Sequence, residues 1–415
     1  MPGPGSYWIG EEERQEVLEV LASGHLSRYG DLDDPNFKHK VYTFEQELAR
    51  YCGVRHALAI SSGTCAIMAS ALAMGLKAGD EVIVPTFGYV GTYTPLIFLG
   101  IVPVLTEIDA SLTIDPEDIE RRITPKTAAL LPVHMLGNPC DMAAVMSIAE
   151  KRGLPVLEDA CQAAGGTYQG RKLGSIGRMG AFSLNIFKTI TAGDGGALVT
   201  DDPELYERAF GVQDQGYRPD KAGLAIGENS IMGLSFRVNE LCGAVALAQL
   251  RKIDRITATL REKKGKLKAL IDGAGEFRFR TLHDPEGECG TLCTLIFKNA
   301  ATAAAVAGRL GTHTLDESKW HYYANMDHVN RHLKGLGRPH GKGAFPQTND
   351  LLRRSINLSI GVVDPGLCSD FGININATDE EIGQVAAQFR RVCEETGAGS
   401  PREGAVVRQE KRLGH

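Results

Sequence analysis

The chain has 415 residues, 43% of them hydrophobic and 23% charged, with a formal charge of -6; that is an ordinary globular composition, long enough for two domains or one large α/β domain with an appendage. The acidic balance and the lack of a basic stripe exclude nucleic acid as an expected partner. No apolar run nears the roughly 18 residues of a membrane span, and "MPGPGSYWIG" has neither the basic nor the apolar region of a signal peptide.

Short apolar stretches alternate with helix-length ones. "HALAI" (56–60), "EVIVP" (81–85), "VPVLTEI" (102–108), "AALLPVHM" (128–135), "LPVLEDA" (154–160), "GAFSL" (180–184) and "GALVT" (196–200) read as buried strands. Helices are predicted between them at 64–76 and 141–153. Such alternation predicts an α/β fold with a mostly parallel central sheet and helices on both faces. Ligands of these sheets bind at the carboxyl ends of the strands, where Ser61, Tyr89, His134, Asp159 and Ser183 lie.

Residues 239–271 read as one long helix leading out of a large domain spanning 1–255. Strands "CTLIFK" and "SINLSI" and a closing helix, "DEEIGQVAAQFRRVCEE", mark a smaller α+β domain at 256–396. The polar, aperiodic tail 397–415 is expected to be disordered. Nine cysteines are scattered, with Cys289 and Cys293 the one close pair, so no metal site is expected. The default location is the cytoplasm.

Three blocks carry chemistry. In "ISSGTCAIM" (60–68) a strand turns on Ser61, Ser62 and Gly63 and opens a helix at Thr64. This is either a plain capped turn or an anion cradle made of free N–H groups. In "VLEDACQA" (156–163) a strand ends on Glu158 and Asp159. One of these carboxylates should face the crevice, where it needs a cationic partner; Gln162 follows three residues on. In "FSLNIFKTITAGDGG" (182–196) Lys188 stands among apolar residues, five places after Ser183. An isolated lysine here would snorkel to solvent. Beside an anion cradle and a carboxylate, it reads instead as a nucleophilic amine that forms a Schiff base. Together the blocks describe a receptor for pyridoxal phosphate, with a cradle for the phosphate, a carboxylate for the ring nitrogen and a lysine for the aldehyde. Tyr89 is placed to stack on the ring.

The chain also resembles the DegT/DnrJ/EryC1/StrS family of sugar and aminocyclitol aminotransferases, which have the aspartate-aminotransferase (type I) fold. The likeness rests on "GHLSRYG", "FEQELARYCGVRHALAISSGT", "GDEVIVPTF", "ITPKTAALLPVHMLGNPCDM", "VLEDACQAAGGTYQGRKLGSIG", "FSLNIFKTITAGDGGALVTDD" and "FRVNELCGAVALAQL". It implies that Lys188 is the Schiff-base lysine and Asp159 the partner of the pyridinium nitrogen. By the same carry-over Gln162 contacts the ring hydroxyl, and Ser183 and the Gly63–Thr64 turn hold the phosphate. A homodimer with shared sites is implied, with 25–30 (Arg28 and Tyr29 among them) or 213–237 of one subunit lining the other's pocket. The implied reaction moves an amino group from an amino-acid donor, glutamate or glutamine, to a keto acceptor. That acceptor is a sugar, a cyclitol or a related small molecule of amino-sugar or antibiotic biosynthesis.

Two blocks depart from the family pattern. "GLSFRV" has Ser235 where an asparagine often reaches the partner subunit's phosphate, and "RSINLSIGVVDPGLCSDFGININATDEEI" is longer than usual. The acceptor is therefore not fixed as a nucleotide-linked sugar. "DESKWHYYANMDHVNRHL" (316–333) gathers Trp320, His321, Tyr322, Tyr323 and His328, either to stack on and hydrogen-bond a polyhydroxylated ring or to fill the small-domain core. Decarboxylation, elimination or epimerisation would use the same cofactor residues. A non-enzymatic regulator would need a basic arm, which is lacking.

Overall fold

The computed structural model describes residues 3–31, 33–219 and 231–398. Its larger sheet is built from β1 (His56–Ile60), β2 (Glu81–Pro85), β3 (Val102–Thr106), β4 (Thr127–Leu130), β5 (Leu157–Asp159), β6 (Met179–Ser183) and β7 (Gly196–Thr200). β2 lies between β3 and β4, parallel to both. β5 runs parallel to β6, and β7 is antiparallel to both β6 and β1. Parallel bridges Leu130–Val156 and Val133–Asp159 join β4 to β5. The strand order is thus β3-β2-β4-β5-β6-β7-β1, with β7 alone reversed.

β4 and β5 are shorter than their apolar runs because Pro132 and Pro155 lack the N–H a ladder requires. Their carbonyls still accept single bonds, from Asp159 and Leu130 at 2.9 and 3.0 Å. Side chains alternate across the sheet. In β1, Ala57 and Ala59 enter one apolar core while Leu58 and Ile60 enter the other. Helix Lys40–Cys52 contributes Val41, Phe44 and Leu48 to the first core, and helix Gly63–Ala73 contributes Ala66 and Ile67 to the second.

The 239–271 helix is broken. Helices Glu240–Leu250 and Ile253–Ile271 meet at Arg251 and Lys252, where Lys252 turns inward, donating to Glu13 at 2.8 Å and the Trp8 carbonyl at 2.7 Å. Burying a lysine demands such partners. Beyond it lies a second sheet of β8 (Phe277–Phe279), β9 (Leu292–Phe297), β10 (Ser355–Ile360) and β11 (Gly372–Ile373), in that order. β8, β9 and β10 pair antiparallel and β11 joins β10 in parallel. Helix Asp379–Glu395 packs on it through Phe389 and Val392.

The 256–396 unit is less separate than its sequence implies. The first core runs without a break from Phe44 through Leu267 to Leu358 and Phe389. Residues 315–353 leave the small sheet to pack on the ends of β2 and β3. There Tyr322 bridges Phe87, and Thr348 bonds Thr86 and Glu107. Ala398 is buried and accepts a bond from Glu276, while the tail beyond it lies outside the described residues. No described helix is long and apolar enough to cross a membrane. All nine cysteines are free, and the described residues contain no group of three or more His, Cys, Asp or Glu able to hold a metal.

Candidate active site

At the end of β5 the strand sorts two adjacent carboxylates to opposite faces. Glu158 is fully buried and accepts the N–H groups of Gly174, Ile176 and Gly177 and the Nε2–H of His134, at 2.5 to 2.9 Å. The His134 Nδ1 accepts the Cys140 N–H at 3.1 Å, which leaves Nε2 to donate to Glu158. This pair anchors a loop and does not reach the cavity. Asp159, 4% exposed, points the other way. It accepts the Thr92 hydroxyl at 2.7 Å and the Cys161 N–H at 3.1 Å, and no cation of the described residues pairs with it. Burial and the Asp159 charge push the Cys161 thiol far above its ordinary value.

β1 delivers the helix N-terminus. Ser62 caps helix Gly63–Ala73 by accepting the Cys65 N–H at 3.1 Å. A Cβ on Gly63 would stand 2.7 Å from Cys161 Sγ and 2.9 Å from Ser183 Cβ. Only glycine lets the turn sit this close to β6, where the first-turn N–H groups, lacking helical partners, can receive an anion.

β6 ends on Ser183 and leads to Lys188, which is half-buried. Its backbone is held from two sides: its N–H donates to the Asn185 carbonyl at 3.0 Å, and its carbonyl accepts from Gly5 at 3.4 Å. A Cβ on Gly3 would stand 2.6 Å from the Ile186 carbonyl, so the N-terminal segment lies directly on the lysine loop. The ammonium forms no ion pair among the described residues; it stands 5.8 Å from the Tyr89 ring centre and acts electrostatically on Cys161, His321 and Asp364.

Gln162 completes the near wall. Its Oε1 accepts the Leu136 N–H at 3.0 Å, while its Nε2 is buried without a partner. Leu136 adopts a left-handed backbone, φ 58°, strained for a leucine. It is clamped from the small sheet, where Arg280 donates to the Met135 and Leu136 carbonyls at 3.0 and 2.8 Å. Burial lowers the Arg280 pKa, and Glu288, which lies beside both Arg280 and Lys264, works against that shift.

These groups line one cavity of about 550 Å3, closed on the far side by Trp320, His321 and Asp364 to Gly366, within the size range of small-molecule sites. The residues fit pyridoxal phosphate. A buried carboxylate without a cation suits the ring nitrogen, the unpartnered Gln162 amide suits the ring hydroxyl, and the glycine-walled helix terminus suits the phosphate. Gly63, Thr64, Tyr89, Asp159, Gln162, Ser183, Lys188 and His321 are all brought together.

Four further residues lie outside this chain's cavity, and of these Arg28, Tyr29 and Ser235 belong to segments expected to serve a partner's pocket. Arg28 is buried, its guanidinium paired with both Glu45 oxygens at 3.0 and 3.1 Å. Tyr29 donates to Asp214, whose second oxygen meets Arg237. Tyr322 is core, donating to Asn349 while its neighbour His321 faces the cavity. Ser235 is exposed and pairs with Asp214; residues 220–230 of its segment lie outside the described residues. Sequence reasoning missed Thr92 and Asp364. Thr92 had no local signal, whereas Asp364 sits in the segment whose unusual length had marked it.

The sequence profile described as the DegT/DnrJ/EryC1/StrS aminotransferase family matches residues 8–364. GDP-perosamine synthase of Caulobacter vibrioides is 36% identical over 243 residues, covering 58% of this chain and 62% of its own length, so the match spans less than two thirds of that relative. GDP-perosamine synthase of Vibrio cholerae is 30% identical over 372 residues, 86% of this chain and 92% of its own. The crystal structure of 3-amino-5-hydroxybenzoic acid synthase is 25% identical with a TM-score of 0.77, covering 94% and 98% of the two chains.

Proposed function

The chain belongs to the DegT/DnrJ/EryC1/StrS aminotransferase family, and from that premise we propose that it is a pyridoxal-phosphate-dependent aminotransferase transferring an amino group from glutamate or glutamine to the ketone of a sugar or cyclitol. The observation that carries this reading is the convergence of Asp159, the orphaned Gln162 Nε2, the Gly63 helix terminus and Lys188 on one cavity. The names of the perosamine synthases favour an amino sugar as product.

When bound, the cofactor supplies an aldehyde that takes up the amino group and a ring that spreads the charge left on the substrate carbon. Asp159 would keep a proton on the ring nitrogen, and Thr92 and the Cys161 N–H hold its carboxylate in place. The Gln162 Nε2 donates to the ring hydroxyl. The N–H groups of Gly63 and Thr64 and the Ser183 hydroxyl would hold the phosphate, and Tyr89 would be available to cover the ring. Lys188 would hold the cofactor's aldehyde, and its amine, when free, would be the group that takes a proton from the substrate carbon and gives it back, acting as base and then acid. The same residues work in reverse on the keto acceptor.

The reading includes a cytoplasmic homodimer. Free cysteines fit a reducing compartment, and Met232 and Leu234, 90% and 57% exposed, offer apolar surface to a second copy. The test is to incubate purified protein with glutamate and a panel of keto-sugars and keto-cyclitols. Equal amounts of 2-oxoglutarate and a new amine are expected. Carbon dioxide, ammonia or an epimer in their place would overturn the reading.

A further inference from the structure

The far wall of the cavity is a built surface. After β10 the chain reaches Asp364, whose Oδ1 accepts the Gly366 N–H at 2.8 Å and whose carbonyl accepts the Leu367 N–H at 2.8 Å. The Ser369 hydroxyl accepts the Asp364 N–H at 3.1 Å, and the buried Asn357 holds the Leu367 carbonyl at 2.8 Å. A second segment is locked to this loop through Gly366. Its carbonyl accepts the His321 Nδ1–H at 2.8 Å and the Ser318 hydroxyl. A Cβ on Gly366 would stand 2.7 Å from Trp320 Cδ1, so the glycine is what lets the indole lie against the loop.

The chemistry of this wall is one-sided. Because the His321 Nδ1–H is spent on Gly366, its Nε2 presents a lone pair, and burial with the nearby Lys188 charge lowers its pKa to about 3, so the ring stays neutral. One Asp364 oxygen is taken by Gly366, and the carboxylate keeps further acceptor capacity. Trp320, 56% exposed, adds an apolar plate. Among the described residues lining the cavity no arginine occurs, and Lys188 is the one lysine. Acceptors beside an indole suit a ring with C–H faces and hydroxyl donors, and they disfavour a carboxylate or phosphate.

We propose that Trp320, His321 and Asp364 form the subsite for an uncharged, polyhydroxylated ring ketone, with Asp364 accepting a ring hydroxyl and excluding anionic groups from that position. The proposal deepens the aminotransferase reading and rests on it for the ketone, while the binding of the ring stands apart from turnover.

Two measurements test it. In protein carrying Trp8→Phe, which leaves Trp320 as the sole indole, quenching by myo-inositol should report binding, weakened about tenfold to 100-fold by Asp364→Asn. In turnover, the ratio of kcat/KM for a neutral keto-cyclitol over pyruvate should fall by about tenfold or more in Asp364→Asn, beyond any change in the glutamate half-reaction. Equal inositol affinity in both proteins, an unchanged acceptor ratio, or wild-type preference for pyruvate would each overturn the proposal. Asp364-dependent inositol binding without any transamination would refute the aminotransferase reading and leave the subsite standing.

Discussion

Replacing Asp159 by asparagine isolates one charge. The carboxylate accepts two hydrogen bonds, from Thr92 at 2.7 Å and the Cys161 N–H at 3.1 Å. An asparagine can keep both: its oxygen accepts from Cys161, and its amide donates to the Thr92 hydroxyl, which is also an acceptor. The fold should therefore survive, with a melting temperature close to the wild type. What is lost is the negative charge facing the ring nitrogen in a site that is 4% exposed, where water cannot replace it. An amide cannot hold a proton on that nitrogen, so the ring loses most of its capacity to spread charge. The expected fall in rate is on the order of 100-fold or more, about 2.7 kcal/mol of barrier, with cofactor binding weakened far less. The assay is the rate of the visible absorbance change when glutamate is added to the cofactor-loaded protein, with no acceptor present. A rate within about threefold of wild type would refute the assignment, since that is under 1 kcal/mol.

Arg280→Met should release the Met135 and Leu136 carbonyls and let Gln162 drift, weakening cofactor affinity about tenfold to 100-fold in an absorbance titration. Arg280→Lys should recover part of it, and wild-type affinity in the methionine variant would show that the turn holds itself. His321 gives a pH signature: its folded pKa of about 3 lies below the ordinary 6.5, so the unfolded chain binds the extra proton between these values. Stability should fall as pH drops from about 6.5 towards 3, by up to a few kcal/mol. Melting curves of His321→Gln should depend less steeply on pH than those of the wild type; parallel slopes would contradict a buried neutral imidazole.

Legibility followed the range of the interactions involved. Strand ends could be read locally, and with them Asp159, Ser183 and Lys188, because only a few residue types make sense in a ligand crevice. β10 was read over its full length because Ser355–Ile360 is bounded by turns and carries β-branched residues. The inward turn of Lys252 was not legible, its partner Glu13 lying 239 residues away. The Arg28 pair was hidden for the same reason, its partner being Glu45 on another element. Residues 319–321 form a turn between two short 3-10 helices, and nothing local decides that His321 meets the cavity while Tyr322 meets the core. The Arg280 clamp joins two sheets and has no signature in either segment alone.

The most direct test of the whole account is covalent. Borohydride reduction of the cofactor-loaded protein, followed by peptide mass spectrometry, should place a phosphopyridoxyl group on Lys188 and abolish activity, and Lys188→Ala should show neither the label nor the visible band. A label on another lysine, or an unchanged spectrum in Lys188→Ala, would contradict it.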